Sequence, residues 1–200
     1  MMTQTHLLAG AAAFAKPGDG LRNGAVVVGS ILPDAAIFAL FAWSKLADVP
    51  EREVWDVLYF ADEFQAWVAA GNAVFLWLAL LIAGFLLLRV PSVFRVGLFV
   101  FFVAAAALLH VGLDLPVHHD DAHRHFWPIS DWRFRSPVSY WDPAHHGRTF
   151  MWIEAVFGIL LAVVLFRRFR TLWVRVLLAL LVIAYVAVPA YFTWQLGGAA

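Results

Sequence analysis

The chain predicts an all-α fold of the polytopic membrane class, with five to six membrane helices and a long extracytosolic loop rich in histidine. Three observations lead there. Hydrophobic residues fill 63% of the 200 positions and the mean hydropathy is +0.78, against roughly 45–50% apolar residues in soluble domains. A chain this short cannot hide so much apolar surface in a soluble core. The apolar residues gather in runs near the ~20 residues that a helix needs to cross the hydrocarbon, whereas seven of the eight histidines crowd into 110–146.

The first helix, over about residues 4–15, is short for a span, and Lys16-Pro17-Gly18-Asp19-Gly20 reads as a turn. The second runs over about 23–44 with a kink expected at Pro33, because proline removes a ladder donor and clashes with the preceding turn. Residues 45–65 are acidic and carry an amphipathic surface helix (Val54, Trp55, Leu58, Tyr59). Helix three spans about 66–88 and helix four about 93–115; after the loop 116–148 come helix five, about 149–167, and helix six, about 171–194. The whole chain, 1–200, reads as a single integral membrane domain, with 116–148 as an outer lid. No internal repeat appears. The N-terminus has no basic segment ahead of its apolar run, so no cleaved signal peptide is expected.

Lys16 and Arg22, Arg89 and Arg95, and Arg167, Arg168, Arg170 and Arg175 all fall on one side when helices two to six alternate. The positive-inside rule makes that side cytoplasmic. The histidine loop then faces outward, into the periplasm of a bacterial inner-membrane protein. Zero formal net charge gives no footing for nucleic acid, and the absence of cysteine excludes disulfides and thiolate metal sites.

Ionisable residues at membrane depth are costly and mark function. His110 and Asp114 stand one turn apart on helix four, so they share a face as two metal ligands would. At 1.5 Å per residue, His6 lies roughly 15 Å from the turn at Lys16, Asp34 roughly 18 Å from Arg22 and His110 roughly 22 Å from Arg95. The four residues and Glu154 therefore reach one depth. His118, His119, Asp120, Asp121, His123 and His125 crowd the start of the loop without a unique spacing. His118 and His119 are the preferred candidates there, being nearest to Asp114, and His145 and His146 can close the site from its far end. Imidazole with carboxylate suits zinc, manganese or iron. The bland alternatives are a His–Asp bond at a helix end, a satisfied Asp34 beside the proline, and a merely hydrated loop.

Thr5-His6-Leu7-Leu8-Ala9-Gly10, Gly29-Ser30-Ile31-Leu32-Pro33-Asp34 and His110-Val111-Gly112-Leu113-Asp114 resemble, in order and approximate spacing, the YdjM-like family of membrane-bound, metal-dependent hydrolases. Phe126-Trp127-Pro128-Ile129-Ser130 is similar to that family's aromatic segment after its HxxxD. The resemblance implies His6, Asp34, His110 and Asp114 as metal ligands. It departs at the family's central H-R-G-x-T-H-S motif, where this chain has Asp62-Glu63-Phe64-Gln65-Ala66-Trp67; Asp62 and Glu63, or His145-His146-Gly147-Arg148-Thr149, are the candidates to compensate. A looser likeness links the His, Asp, HxxxD order to zinc-dependent phospholipase C enzymes.

The expectation is a membrane-embedded hydrolase with a divalent metal, zinc foremost, cleaving an ester or phosphoester of an amphiphilic, lipid-like substrate at the outer face of the bilayer. His6, Asp34, His110 and Asp114 hold metal, with His119, His145 and His146 as further ligands; Glu154 and His118 carry the acid–base role. The rivals are a metal-binding or metal-transport protein and a non-catalytic membrane scaffold.

Overall fold

The computed structural model describes residues 1–197, with side chains except at 192 and 195–197. It is all-helical among those residues. Nine α-helical segments follow in order: α1 (Thr3–Phe14), α2 (Gly20–Ile31), α3 (Ala35–Leu46), α4 (Glu51–Glu53), α5 (Asp62–Asn72), α6 (Val74–Leu87), α7 (Phe94–Asp114), α8 (Gly147–Arg168) and α9 (Leu172–Gly197). Five continuous stretches are long and apolar enough to cross a membrane: Gly20–Leu46, Asp62–Leu87, Pro91–Val117, Gly147–Arg168 and Leu172–Tyr191. Lipid-sized side chains such as Ile82, Leu86, Val96, Leu160 and Ile183 face outward along them. This inverts the soluble pattern, as expected where hydrocarbon replaces water around the bundle.

The short first helix is not a span but a wedge. It packs against α2, α7 and α8 and buries Thr5, His6, Leu8, Ala9 and Gly10. Its C-terminal carbonyls, which a helix leaves without partners, are taken by arginines: Arg22 Nε donates to Phe14 O, and Arg168 Nη1 donates to Ala11 O and Ala15 O at 3.1 and 3.2 Å. The turn to α2 is closed by Asn23, which accepts from Lys16 N at 2.8 Å and donates to Lys16 O at 2.9 Å. Asp19 caps α2 through Arg22 N. Thr5 Oγ1 and Tyr185 OH, 2.5 Å apart, tie the wedge to α9.

Two spans are broken where the sequence leads one to expect a kink or a continuous helix. Pro33 ends α2, and a 3-10 turn over Leu32–Asp34 re-aims the chain into α3. The third predicted helix is in fact two, α5 and α6, parted at Ala73 in extended conformation. There the first N–H of α6, Val74 N, donates to His125 O of the loop at 3.0 Å. The predicted amphipathic helix within 45–65 shrinks to one turn of α4 and a π turn over Val54–Leu58. The wider turn links Tyr59 N to Val54 O at 2.8 Å and buries both residues on one side.

Glycines let the kinked segments approach their neighbours. A Cβ on Gly29 would collide with the Val103 carbonyl of α7, and one on Gly71 with the Pro33 carbonyl. Small residues at such crossings are what membrane helices use to bring backbones together. Gly29→Ala should therefore destabilise the bundle by about 1–3 kcal/mol, the usual cost of overpacking. Gly112→Ala, with nothing within 4 Å of the added carbon, should leave it unchanged. Thermal melting of both variants in detergent tests the contrast.

Candidate metal centre

The kink at Pro33 and the end of α7 meet at Asp114. His110 Nδ1 lies 2.8 Å from Ser30 O, in the turn where the proline interrupts the helical ladder. Since the partner is a carbonyl, Nδ1 carries the proton and donates. Nε2 is thereby left facing Asp114 Oδ2 at 3.1 Å and Asp34 Oδ1 at 3.5 Å. From α1, His6 stacks flat on His110, ring centroids 3.6 Å apart and 12° from parallel, and brings its Nε2 to 3.0 Å from Asp114 Oδ1. Despite these distances, neither Nε2 has a directed hydrogen bond. His6, His110 and Asp114 are all buried, and their ligand atoms lie within 4.8 Å of one another, close enough to hold a metal ion.

A second group joins from the loop. A 3-10 turn over Leu115–Val117 extends α7, after which the chain folds back. Ser136 N donates to His118 O at 2.9 Å, Ser136 Oγ to Pro116 O at 2.5 Å and Tyr140 N to Val117 O at 2.9 Å. These bonds hold the histidine segment over the end of α7. His118 Nδ1 donates to Asp121 Oδ2 at 2.8 Å, and Trp141 Nε1 donates to the same oxygen at 3.2 Å. His118 Nε2 then faces Asp114 Oδ1 at 3.5 Å. His123 lies beside it, ring centroids 4.6 Å apart, and is only 3% exposed with both ring nitrogens unpartnered. Asp114, His118 and His123 form a second buried triad with ligand atoms in mutual reach.

The electrostatics outside the spans follow from this packing. Burial and the neighbouring His118 push the His123 imidazole down to about 3, leaving it a neutral donor of lone pairs. Burial acts the same way on His118, but its bonds to Asp114 and Asp121 prevail and hold it above the ordinary imidazole value. Burial would raise Asp121, yet the His118 bond keeps it below the usual carboxylate range. A histidine with one nitrogen fixed by a carboxylate or carbonyl and the other free is the usual arrangement of a metal ligand and its outer support. His110 has it, and His118 has its Nδ1 fixed by Asp121 in the same way. The α-amino group of Met1 donates to Asp114 Oδ1 and stands 3.5 Å from His118 Nε2, so a cationic group is drawn to this carboxylate.

The sequence-derived candidates divide in two. His6, Asp34, His110, Asp114 and His118 converge. Glu154 borders them from α8: it is 1% exposed, its Oε1 accepts from Met2 N at 2.7 Å, and its Oε2 has no partner. His119 and His145 belong elsewhere, stacked on each other at 3.6 Å. His119 Nδ1 donates to Ser136 O at 2.6 Å and His145 Nδ1 to Asp142 Oδ2 at 2.6 Å. Asp120, Asp142 and His145 form a separate, more exposed group. His146 is exposed in the left-handed region, φ 64°, at the entry to α8. Asp62 and Glu63 are exposed in the first turn of α5, so the acids of that stretch do not reach the cluster; its buried polar residues are Gln65 and Asn72.

His123 and Asp121 stand among the loop candidates in the sequence, but nearness to Asp114 favours His118 and His119 over them. The usable signal was His118-x-x-Asp121, a spacing that lets a carboxylate reach back to an imidazole, followed two residues later by His123. No family model, curated protein or solved structure matches the chain.

Proposed function

We propose that this chain is an integral-membrane hydrolase dependent on a divalent metal, zinc foremost, that cleaves an ester or phosphoester of a lipid-like substrate at the outer face of a bacterial inner membrane. The carrying observation is the convergence of His6 and His110 on the two oxygens of Asp114, at 3.0 and 3.1 Å, without a directed hydrogen bond. Buried nitrogens left in that condition lose about 1–3 kcal/mol each, and a cation among them removes the cost. Two imidazoles and two carboxylates, His6, His110, Asp34 and Asp114, make a four-ligand set suited to zinc.

His6, Asp34, His110 and Asp114 would hold the cation, which would supply polarisation of a substrate oxygen and a bound water of lowered pKa. The chain's own residues do the rest. His110, anchored on Ser30 O, and Asp34, fixed by the kink, set the position of the ion. Glu154 Oε2, buried and unpartnered, takes the proton from the attacking water. Asp121 holds the His118 ring in one orientation. The basic clusters at 16–22, 89–95 and 167–175 support a cytoplasmic position for the opposite end of the bundle, by the positive-inside rule.

Amphiphilic substrates are favoured by an open apolar groove of about 680 Å³ lined by Leu32, Pro33, Ala39, Leu40, Trp43 and Trp67. It begins at the residue preceding Asp34, so an acyl chain lying in it brings a headgroup toward the cluster.

Metal analysis of the purified full chain should find stoichiometric zinc, lost in Asp114→Ala and His110→Ala; wild type without metal would refute the proposal. Against a panel of phospholipids and generic phosphoesters, Glu154→Gln should lower turnover by about 10²–10⁴-fold, the range for a lost acid–base group, while keeping its metal. Ala39→Trp should raise KM for long-chain substrates and leave short soluble esters unaffected; an equal effect on both would remove the groove from the account.

A further inference from the structure

We infer that Asp114 bridges two divalent cations, the second held by His118 and His123. The inference rests on the metal reading of the His6–His110–Asp114 group and goes beyond it in number, ligands and role.

The first argument is stoichiometric. The His6–His110–Asp114 triad, with Asp34 Oδ1 3.5 Å from His110 Nε2, offers four residues, the number typical of a zinc site. His118 and His123 have no place in that shell. Both are nevertheless buried, at 7% and 3% exposure, and both belong to a triad that contains Asp114. A carboxylate has two oxygens and can serve two ions. Here Oδ2 faces His110, while Oδ1 faces both His6 and His118.

The second argument concerns His123. Neither of its ring nitrogens has a hydrogen-bond partner although the ring is buried. One nitrogen without a partner in a neutral imidazole is an unused lone pair; two in a sealed environment is a cost with no return unless a ligand is taken. His118 shows the complementary feature, with Nδ1 committed to Asp121 and Nε2 turned toward Asp114 Oδ1 and the Met1 α-amino nitrogen, each at 3.5 Å. Such outer support accompanies metal-binding histidine. The α-amino group of Met1, against Asp114 Oδ1 and 3.5 Å from His118 Nε2, places a cationic group between these same residues.

The two positions differ in kind. At the first, Asp34 Oδ1, 3.5 Å from His110 Nε2, adds a fourth residue beside the buried His6–His110–Asp114 triad. The second has three, which is the number that leaves an open position for substrate in catalytic zinc sites. Pairs of ions about 3.5–4 Å apart are suited to clamping the oxygens of a phosphoester. The chemical class that fits this centre is therefore a phosphoester, ahead of a carboxylic ester.

The test uses the full chain in detergent, loaded with Zn²⁺ and counted by elemental analysis, and loaded with Mn²⁺ for electron paramagnetic resonance. Wild type should hold two ions per chain and show an exchange-coupled Mn²⁺ pair. His123→Ala and His118→Ala should each hold one ion and give an uncoupled signal, and Asp114→Ala should hold none. A wild type with one ion that is lost in His110→Ala and kept in His123→Ala overturns the second site and leaves the first intact. Two ions retained in His123→Ala overturn it as well, and no ion in wild type overturns both readings. If the histidine variants fail to fold, the wild-type count and the presence or absence of coupling decide alone.

Discussion

The fold is organised around one carboxylate removed from water. Asp114 is 2% exposed at the end of a membrane helix, and an ionised carboxyl in such surroundings costs several kcal/mol unless positive charge or directed donors answer it. Its neighbours are imidazoles from three parts of the chain, of which His6 and His110 are close yet not bonded to it. An all-protein answer would have oriented N–H groups at both oxygens. Apart from the α-amino group of Met1, which donates to Oδ1, the chain provides imidazoles and carboxylates with ligand atoms in mutual reach, an arrangement that could hold a cation. Asp34 and Glu154 add two more acidic groups, Asp34 facing the same His110 Nε2 at 3.5 Å and Glu154 with its Oε2 unpartnered.

The irregular backbone serves that arrangement. Pro33 breaks α2, the Ser30 carbonyl of the broken turn orients His110, and the 3-10 turn that follows presents Asp34. Gly29 and Gly71 permit the close crossings without which the kink would stand away from α7 and α5. The wedge α1 is too short to span, and for that reason it can end at the depth of the cluster with His6 on its inner face. Arginines 22 and 168 satisfy its carbonyls at the other end. Non-helical backbone at this depth is tolerated where it is covered by protein, as Ala73 is by the loop carbonyl of His125.

The sequence carried much of this. Composition and run length are enough for an all-helical membrane protein, because uninterrupted apolar runs of about 20 residues suit membrane helices, whereas barrel strands are about 9–11 residues long and alternate in polarity. The rise per residue was enough to bring His6, Asp34, His110 and Asp114 to one depth, since depth is linear along a helix. The loop was not legible in the same way. Nothing local distinguishes His119 from His123; the difference arises from the bonds of Ser136 and Tyr140 back to residues 116–118, which turn one ring toward Asp114 and the other toward His145. The division of helix three was hidden for a similar reason, because Ala73 favours a helix and the break is held by bonds of the loop residue His125 to Val74 N and Asn72 O and by Trp77 Nε1 to Gly71 O. The π turn at Val54–Leu58 likewise depends on burying Val54 and Tyr59 together, a tertiary demand that a helical period does not express.

Central to this account is a cation held by the imidazoles beside Asp114, which their mutual reach permits. X-ray absorption at the zinc edge of the purified, zinc-loaded chain tests that claim most directly. The account predicts a first shell of nitrogen and oxygen only, with imidazole scattering at about 2.0–2.1 Å that disappears in Asp114→Ala. A shell of water oxygens without imidazole, or a spectrum unchanged by removal of Asp114, would contradict it.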